Sequence, residues 1–273
     1  MTSRASSGER LSFQRVELRL CDRPCVEELL GALDLRGRAS RRRLPHGVVE
    51  PVALRPCTLE VAEPVATLTP AEQADRDDAA AFTGRVARWD PAGLIRLRAD
   101  GDTVRMWAGT PFDALVTRAV HGALTPRDVT VYAGNLLSGL AIATAPDVDP
   151  GPTADAAWRS QLPPGTGWVP VDEVPAAVLA ALAEEGATGA RDRPGPAGAA
   201  STALLDTEVL TVSGAGMRVV LNLRMVFALS GMGFAPVAPD EVVRISATDS
   251  WARIDARYGA VVRRRHALLP LFT

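Results

Sequence analysis

Residues 206–234 read DTEVLTVSGAGMRVVLNLRMVFALSGMGF, the longest apolar segment of the chain. Val209, Leu210 and Val212 lead into Ser213-Gly214-Ala215-Gly216, a turn that glycine makes easy. Val219, Val220, Leu221 and Leu223 then run out again, so the first half predicts a β-hairpin. From Arg224 the spacing changes. Met225, Phe227, Ala228, Leu229 and Met232 suit a short buried helix, with Gly233 where a C-terminal cap would sit. Two arginines and the Ser-Gly-Ala-Gly turn break any reading as one membrane-crossing helix. The stretch is core, and Leu223, Phe227 and Leu229 are expected to be buried.

The chain around it has 273 residues, enough for one large domain or two intimate halves. Hydrophobic content of 47% with 23% charged residues is ordinary for a globular protein, and the net charge of −2 excludes a whole-surface attraction to nucleic acid or membrane. All thirty basic residues are arginine, and Ala, Gly, Pro and Val abound, the coding bias of a GC-rich, bacterial genome. The absence of lysine excludes Schiff-base, Walker-type and lysine-base chemistry. Three cysteines are too few for a disulfide scaffold, and the N-terminus MTSRASSGERLSFQ has no apolar signal region, so a cytoplasmic protein is expected.

Residues 1–12 are polar and read as a disordered tail. Val16, Leu18 and Leu20 alternate with charges as a strand, and Val26, Leu29, Leu30 and Leu33 make a short helix. Thr69-Pro70, Thr110-Pro111 and Thr125-Pro126 each look like an N-cap followed by proline at the first helical position, with an acid two residues after the proline. The first would open a polar surface helix. The other two would open an antiparallel αα-hairpin over about 111–143, with Leu115, Val116, Ala119, Val120 and Leu124 on one face and Val129, Tyr132, Leu136 and Leu140 on the other. Residues 85–89, 94–99 and 103–108 read as a three-stranded meander, and 242–248, 251–256 and 260–264 as a second. Val174–Glu185 reads as a helix ended by Gly186, and residues 187–202 as a Gly/Pro-rich loop. Trp158 and Trp168 flank the Pro-Pro-Gly stretch at 163–165 and are expected to anchor it.

These elements predict an α+β protein: two antiparallel meanders or hairpins with segregated helices. A connector at 145–153 divides an N-terminal half, 13–147, from a C-terminal half, 153–273, which could form one continuous domain.

No catalytic set stands out. Cys21 and Cys25 lie at a strand-to-helix junction, where the helix dipole and Arg23 would favour a thiolate, so thiol redox chemistry is the concrete enzymatic alternative. Their spacing is C-x3-C, and Asp22 opposes the effect. His46, His121 and His266 have no ligand spacing, and neither a metal nor a cofactor is expected. Arg36, Arg38, Arg41, Arg42 and Arg43 form a basic loop suited to phosphate, with Arg263–Arg265 as a second cluster and Trp89, Trp107 or Trp251 available for stacking. The apolar helices at 111–143 offer no base-reading side chains, which argues against a sequence-specific DNA reader. The function expected is binding, of a protein partner or a phosphate-bearing ligand.

Overall fold

A computed structural model describes residues 66–192, 201–236, 238 and 240–265. The described elements lie in one compact unit, Val61–Thr273. They begin with β1 (Thr67–Pro70), α1 (Gln73–Trp89), β2 (Leu94–Asp100), β3 (Thr103–Gly109) and β4 (Leu115–Thr125). Then come β5 (Asp128–Tyr132), α2 (Ala133–Ile142), β6 (Val169–Pro175) and α3 (Ala176–Asp192). The chain finishes with α4 (Thr202–Leu205), β7 (Glu208–Gly214), β8 (Met217–Asn222), α5 (Leu223–Met232), β9 (Val242–Ala247), β10 (Trp251–Ala256) and β11 (Gly259–Arg264).

The opening stretch folds as its pattern dictates. Ala215 and Gly216 both take positive φ, 50° and 74°, and join β7 to β8. The Asn222 side chain then accepts from the Met225 amide and caps α5, and Gly233, at φ 58° and ψ 37°, closes it in the left-handed conformation. Leu223 and Leu229 are buried. Phe227 is only half-buried; its ring lies 5.7 Å from that of Phe112.

Nine strands form an antiparallel sheet in the order β5-β2-β3-β4-β11-β10-β9-β6, with β1 paired to the end of β4, and β7 and β8 pair as a separate hairpin. Two runs with the same order of elements meet at its centre. Strand β1, helix α1 and strands β2–β4 repeat the connectivity of β8, α5 and β9–β11, and the Val116–Val261 pairing joins them. One face carries the helices: α1 and α5 lie over the centre, α2 packs beside α1, and α3 packs beside α5. Alternation along the strands supplies the core under them, with Ile95 and Leu97, Val104 and Met106, Ile254, Val243 and Ile245 all fully buried. From above, Phe82 of α1 stacks on Phe234 at 6.4 Å and both are fully buried.

The α+β class is thus observed, with corrections to its elements. There is no helix pair at 111–143: Leu115–Thr125 and Asp128–Tyr132 are strands, and only Ala133–Ile142 is helical. The apolar positions at 116, 120 and 124 satisfy a strand's alternation as well as a helix's period, and β-branched Val116, Thr117, Val120, Val129, Thr130 and Val131 decide for the strand. The threonines therefore do other work. Thr110 sits in a turn, its hydroxyl donating to the Ala114 carbonyl and accepting from the Phe112 amide, while Thr125 ends β4 before a cis peptide to Pro126.

Helix α1 starts after Glu72 rather than at Thr69 and absorbs 85–89, read above as strand. Its buried residues Ala79, Phe82, Thr83 and Val86 follow helical spacing, so it is a core helix and not a polar surface one. Helix α3 runs through Gly186 to Asp192, taking in the start of the expected loop at 187–202. A Cβ on Gly186 would lie 2.6 Å from Leu223 Cδ2, so this glycine admits α5 and does not end the helix. The expected tail at 1–12, strand at 16–20 and helix at 26–33 lie outside the described residues.

Candidate binding surface under the 153–168 strap

Among the described residues the sheet's other face carries no α-helix. Alternate residues there are Arg96 and Arg98 on β2, Arg105 and Trp107 on β3, Leu115 and Thr117 on β4, Arg253 and Asp255 on β10, and Val262 and Arg264 on β11. A face of this composition needs partial cover, because Trp107, Leu115, Trp251 and Val262 form an apolar cluster at its centre. The cover is a strap, residues 153–168. It is tied to the edge strand where the Ala154 amide donates to the Thr130 carbonyl (2.7 Å) and the Thr130 amide donates to Asp155 Oδ1 (2.5 Å). Trp158, Leu162 and Trp168 then pack onto the cluster. Each indole folds the strap back on itself: Trp158 Nε1 donates to the Ser160 carbonyl (2.6 Å) and Trp168 Nε1 to the Pro164 carbonyl (2.9 Å). The tryptophans anchor this loop as expected.

The strap leaves two grooves. One, of about 310 Å³, is lined by Arg98, Arg105, Trp107, Leu162, Pro164 and Arg253. The other, of about 420 Å³, lies between Gly109, Thr110, Gln161, Trp251 and Arg264. In the second groove the cations are engaged: Arg264 bonds Gln161 and lies 4.7 Å above the Trp251 ring, and Arg263 donates to Asp113 Oδ2 at 3.1 Å. Arg265 donates to the carbonyls of Thr248 and Arg218. The 263–265 cluster is therefore largely structural, not a free phosphate site.

The first groove is different. Arg253 holds Asp255 at 2.6 Å and lies 5.6 Å over the Trp168 ring, and Arg98 faces Asp128 at 3.3 Å. Arg105, partly buried between them, makes no hydrogen bond or ion pair with any described residue. Burial pushes its guanidinium below the ordinary arginine value, and the neighbouring charge of Arg253 adds to that. By contrast, the hydrogen bond from Arg96 to Asp128 (2.7 Å) raises the Arg96 value.

The residues singled out from sequence, Cys21 and Cys25 and the loop of Arg36, Arg38, Arg41, Arg42 and Arg43, lie outside the described residues. So do His46 and His266. His121 is exposed, its Nδ1 3.9 Å from Asp102. Among the described residues no group of three or more His, Cys, Asp or Glu side chains could hold a metal ion. No described helix is long and apolar enough to cross a membrane. The first groove was missed because its arginines are spread over three strands. The available signal was the Arg-x-Arg and Arg-x-Trp alternation at 96–98 and 105–107, which puts those side chains on one face.

Two family models match the chain, and they meet within the strap. Residues 63–160 match one described as "Domain of unknown function (DUF8010)", and residues 163–268 one described as "Domain of unknown function (DUF8185)". No curated protein matches the sequence. Among solved structures, the architecture resembles a DNA polymerase sliding clamp from Caulobacter crescentus: TM-score 0.50 and 13% identity over 77% of this chain and 68% of that one. It also resembles a protein from Eubacterium rectale assigned as a DNA polymerase III beta subunit, with TM-score 0.50 and 10% identity over 76% of this chain and 66% of that one. The chain thus spans about two thirds of the length of each. At such identities the likeness is one of fold: the antiparallel, α+β architecture is sliding-clamp-like.

Proposed function

We propose that the protein is a cytoplasmic binding protein that takes a protein partner on the strapped face of its sheet. The observation that carries this reading is the strap itself. It covers the apolar centre yet leaves two grooves in which tryptophan and arginine, the side chains that dominate protein–protein recognition, stand together. The likeness in fold supports it, since the two similar structures are named as a DNA polymerase clamp and a polymerase subunit, and subunits work in contact with other proteins.

The helix face supports partner binding less well, and a nucleic-acid duplex least. Among the described residues its exposed charges are Arg88 and Arg191 against Asp77, Glu184, Glu185 and Asp192. A duplex is held by several cations that each neutralise a phosphate, and this face has a net negative count. Arg76 is already spent on the carbonyls of Ala143, Ala145 and Pro146.

Plugging the grooves tests the reading. Gly109 lines the second groove and Gly165 the first, and a Cβ at either meets nothing within 4 Å, so Gly109→Trp and Gly165→Trp should fill them without disturbing the fold. Affinity capture of the full chain from its source cells should lose the wild-type partner with one or both plugs. It should keep that partner with Ala81→Trp and Ala181→Trp on the helix face. The opposite pattern, with loss only on the helix face, would overturn the proposal.

A further inference from the structure

We infer that Arg105 is the anchor of a carboxylate site: it receives the side-chain carboxylate of an acidic residue, flanked by apolar ones, from a protein partner. This rests on the reading of the strapped face as a partner surface and names the chemistry that one of its grooves selects.

Strand register sets up the site. Arg105 on β3 stands directly opposite Arg98 on β2, and the next residue across, on β4, is Ala119. Like charges placed opposite each other in an antiparallel pair repel, and the usual remedy is an acid on the adjoining strand. Arg98 has a share of that remedy, because its partner on β5 is Asp128, which Arg96 also holds at 2.7 Å. Arg253, which reaches the same groove from β10, has Asp255. Arg105 has neither. Asp100 lines the groove and lies near enough to act on its charge, but no carboxylate or carbonyl of a described residue bonds it. A guanidinium has five N–H donors, and leaving them unmet in a part-buried position costs stability unless something from outside completes them.

The kind of anion follows from counting charge. Around the groove four guanidiniums, those of Arg96, Arg98, Arg105 and Arg253, meet three carboxylates, those of Asp100, Asp128 and Asp255, which leaves one positive charge to satisfy. A carboxylate carries one negative charge and matches the planar fork of arginine bidentately. A phosphate monoester would bring nearly two charges and three acceptor oxygens into a groove where Asp100 already stands. The rest of the lining, Trp107, Leu162 and Pro164, is apolar, so the neighbours of the incoming acid should be apolar too. At about 310 Å³ the groove is at the small end of ligand pockets, sized for a side chain or two and not for a nucleotide.

The test is an NMR titration of the full chain, following the Arg105 side-chain Nε–Hε and Trp107 indole resonances. Its probes are the peptide acetyl-Leu-Glu-Ala-amide, the same peptide with glutamine, and inorganic phosphate. The glutamate peptide should saturate both resonances at millimolar concentration, with the glutamine peptide at least about tenfold weaker. Arg105→Gln should weaken the glutamate peptide by at least about tenfold, and Arg105→Lys should restore only part of it, because an ammonium lacks the fork. The melting temperature of both variants should hold or rise, since a like-charge pair has been relieved or left as it was. Three results would each overturn the inference: phosphate saturating the same resonances more tightly than the glutamate peptide, glutamate and glutamine peptides binding equally, or no saturation by any probe. Failure here stays separable from failure of the surface reading. If the Gly165→Trp plug still abolishes partner capture, the surface stands and only the carboxylate assignment falls.

Discussion

Phe82→Ala tests the placement of α1, the element on which sequence and structure differ most in consequence. Phe82 is fully exposed to nothing but protein: its ring stacks on Phe234 and its accessible surface is 0%. Removing the ring forfeits about 2 kcal/mol of transfer free energy. It also leaves a cavity of roughly 80–100 Å³, which at about 24 cal/mol per Å³ adds about 2 kcal/mol more. The expected loss is therefore about 4 kcal/mol in a urea melt. In a thermal melt it should lower Tm by about 10 °C, given about 2–4 °C per kcal/mol for a domain of this size. A chain in which α1 lay on the surface as a polar helix would lose less than about 1 kcal/mol, and that result would refute the packing described above.

Three further outcomes are expected. Asn222→Ala should destabilise by about 1 kcal/mol because it removes the cap on the Met225 amide, whereas Thr125→Ala should cost well under that in the same melts because it caps no helix. Thr83→Val should be neutral or stabilising, since the Thr83 hydroxyl is buried without a partner among the described residues and the substitution removes an unmet polar group; a loss above about 1 kcal/mol would show a bond there. Asp206 accepts from Arg224 at 2.6 Å, and that hydrogen bond holds its carboxyl below the ordinary aspartate value. A depressed pKa stabilises the fold above the unfolded value of about 3.9 and loses that contribution as pH falls through the folded one. The stability gap between wild type and Asp206→Asn should therefore be flat at neutral pH and close in acid. It should be at most about 1 kcal/mol, because the aspartate is half-exposed and screened.

Local chemistry made some of this fold legible. The hairpin at 208–222 and the helix after it were readable because their turn and cap need residues with unusual backbone freedom, and glycine marks the place. The strands at 94–100 and 103–109 were readable because Ile95 and Leu97, and Val104 and Met106, alternate with arginines. The failures share one cause, a local signal with two physical sources. Thr-Pro followed by an acid serves a helix start and a tight turn equally well, and at 110 and 125 the turn won. Glycine at 186 reads as a stop, yet it is a packing contact for Leu223 that only the folded chain reveals. The site was still harder to read. Sequence puts Arg98 and Arg105 on one face of the sheet, but only the register with Asp128 and Ala119 shows which of them lacks an acid.

The central claim is that partner recognition belongs to the strapped face of the sheet. Hydrogen–deuterium exchange on the full chain, free and with its captured partner bound, tests it most directly. The account predicts slowed exchange at 105–109 and 158–168, with 177–188 on the helix face unchanged. Protection confined to the helix face, with the strap exchanging as in the free chain, would contradict it.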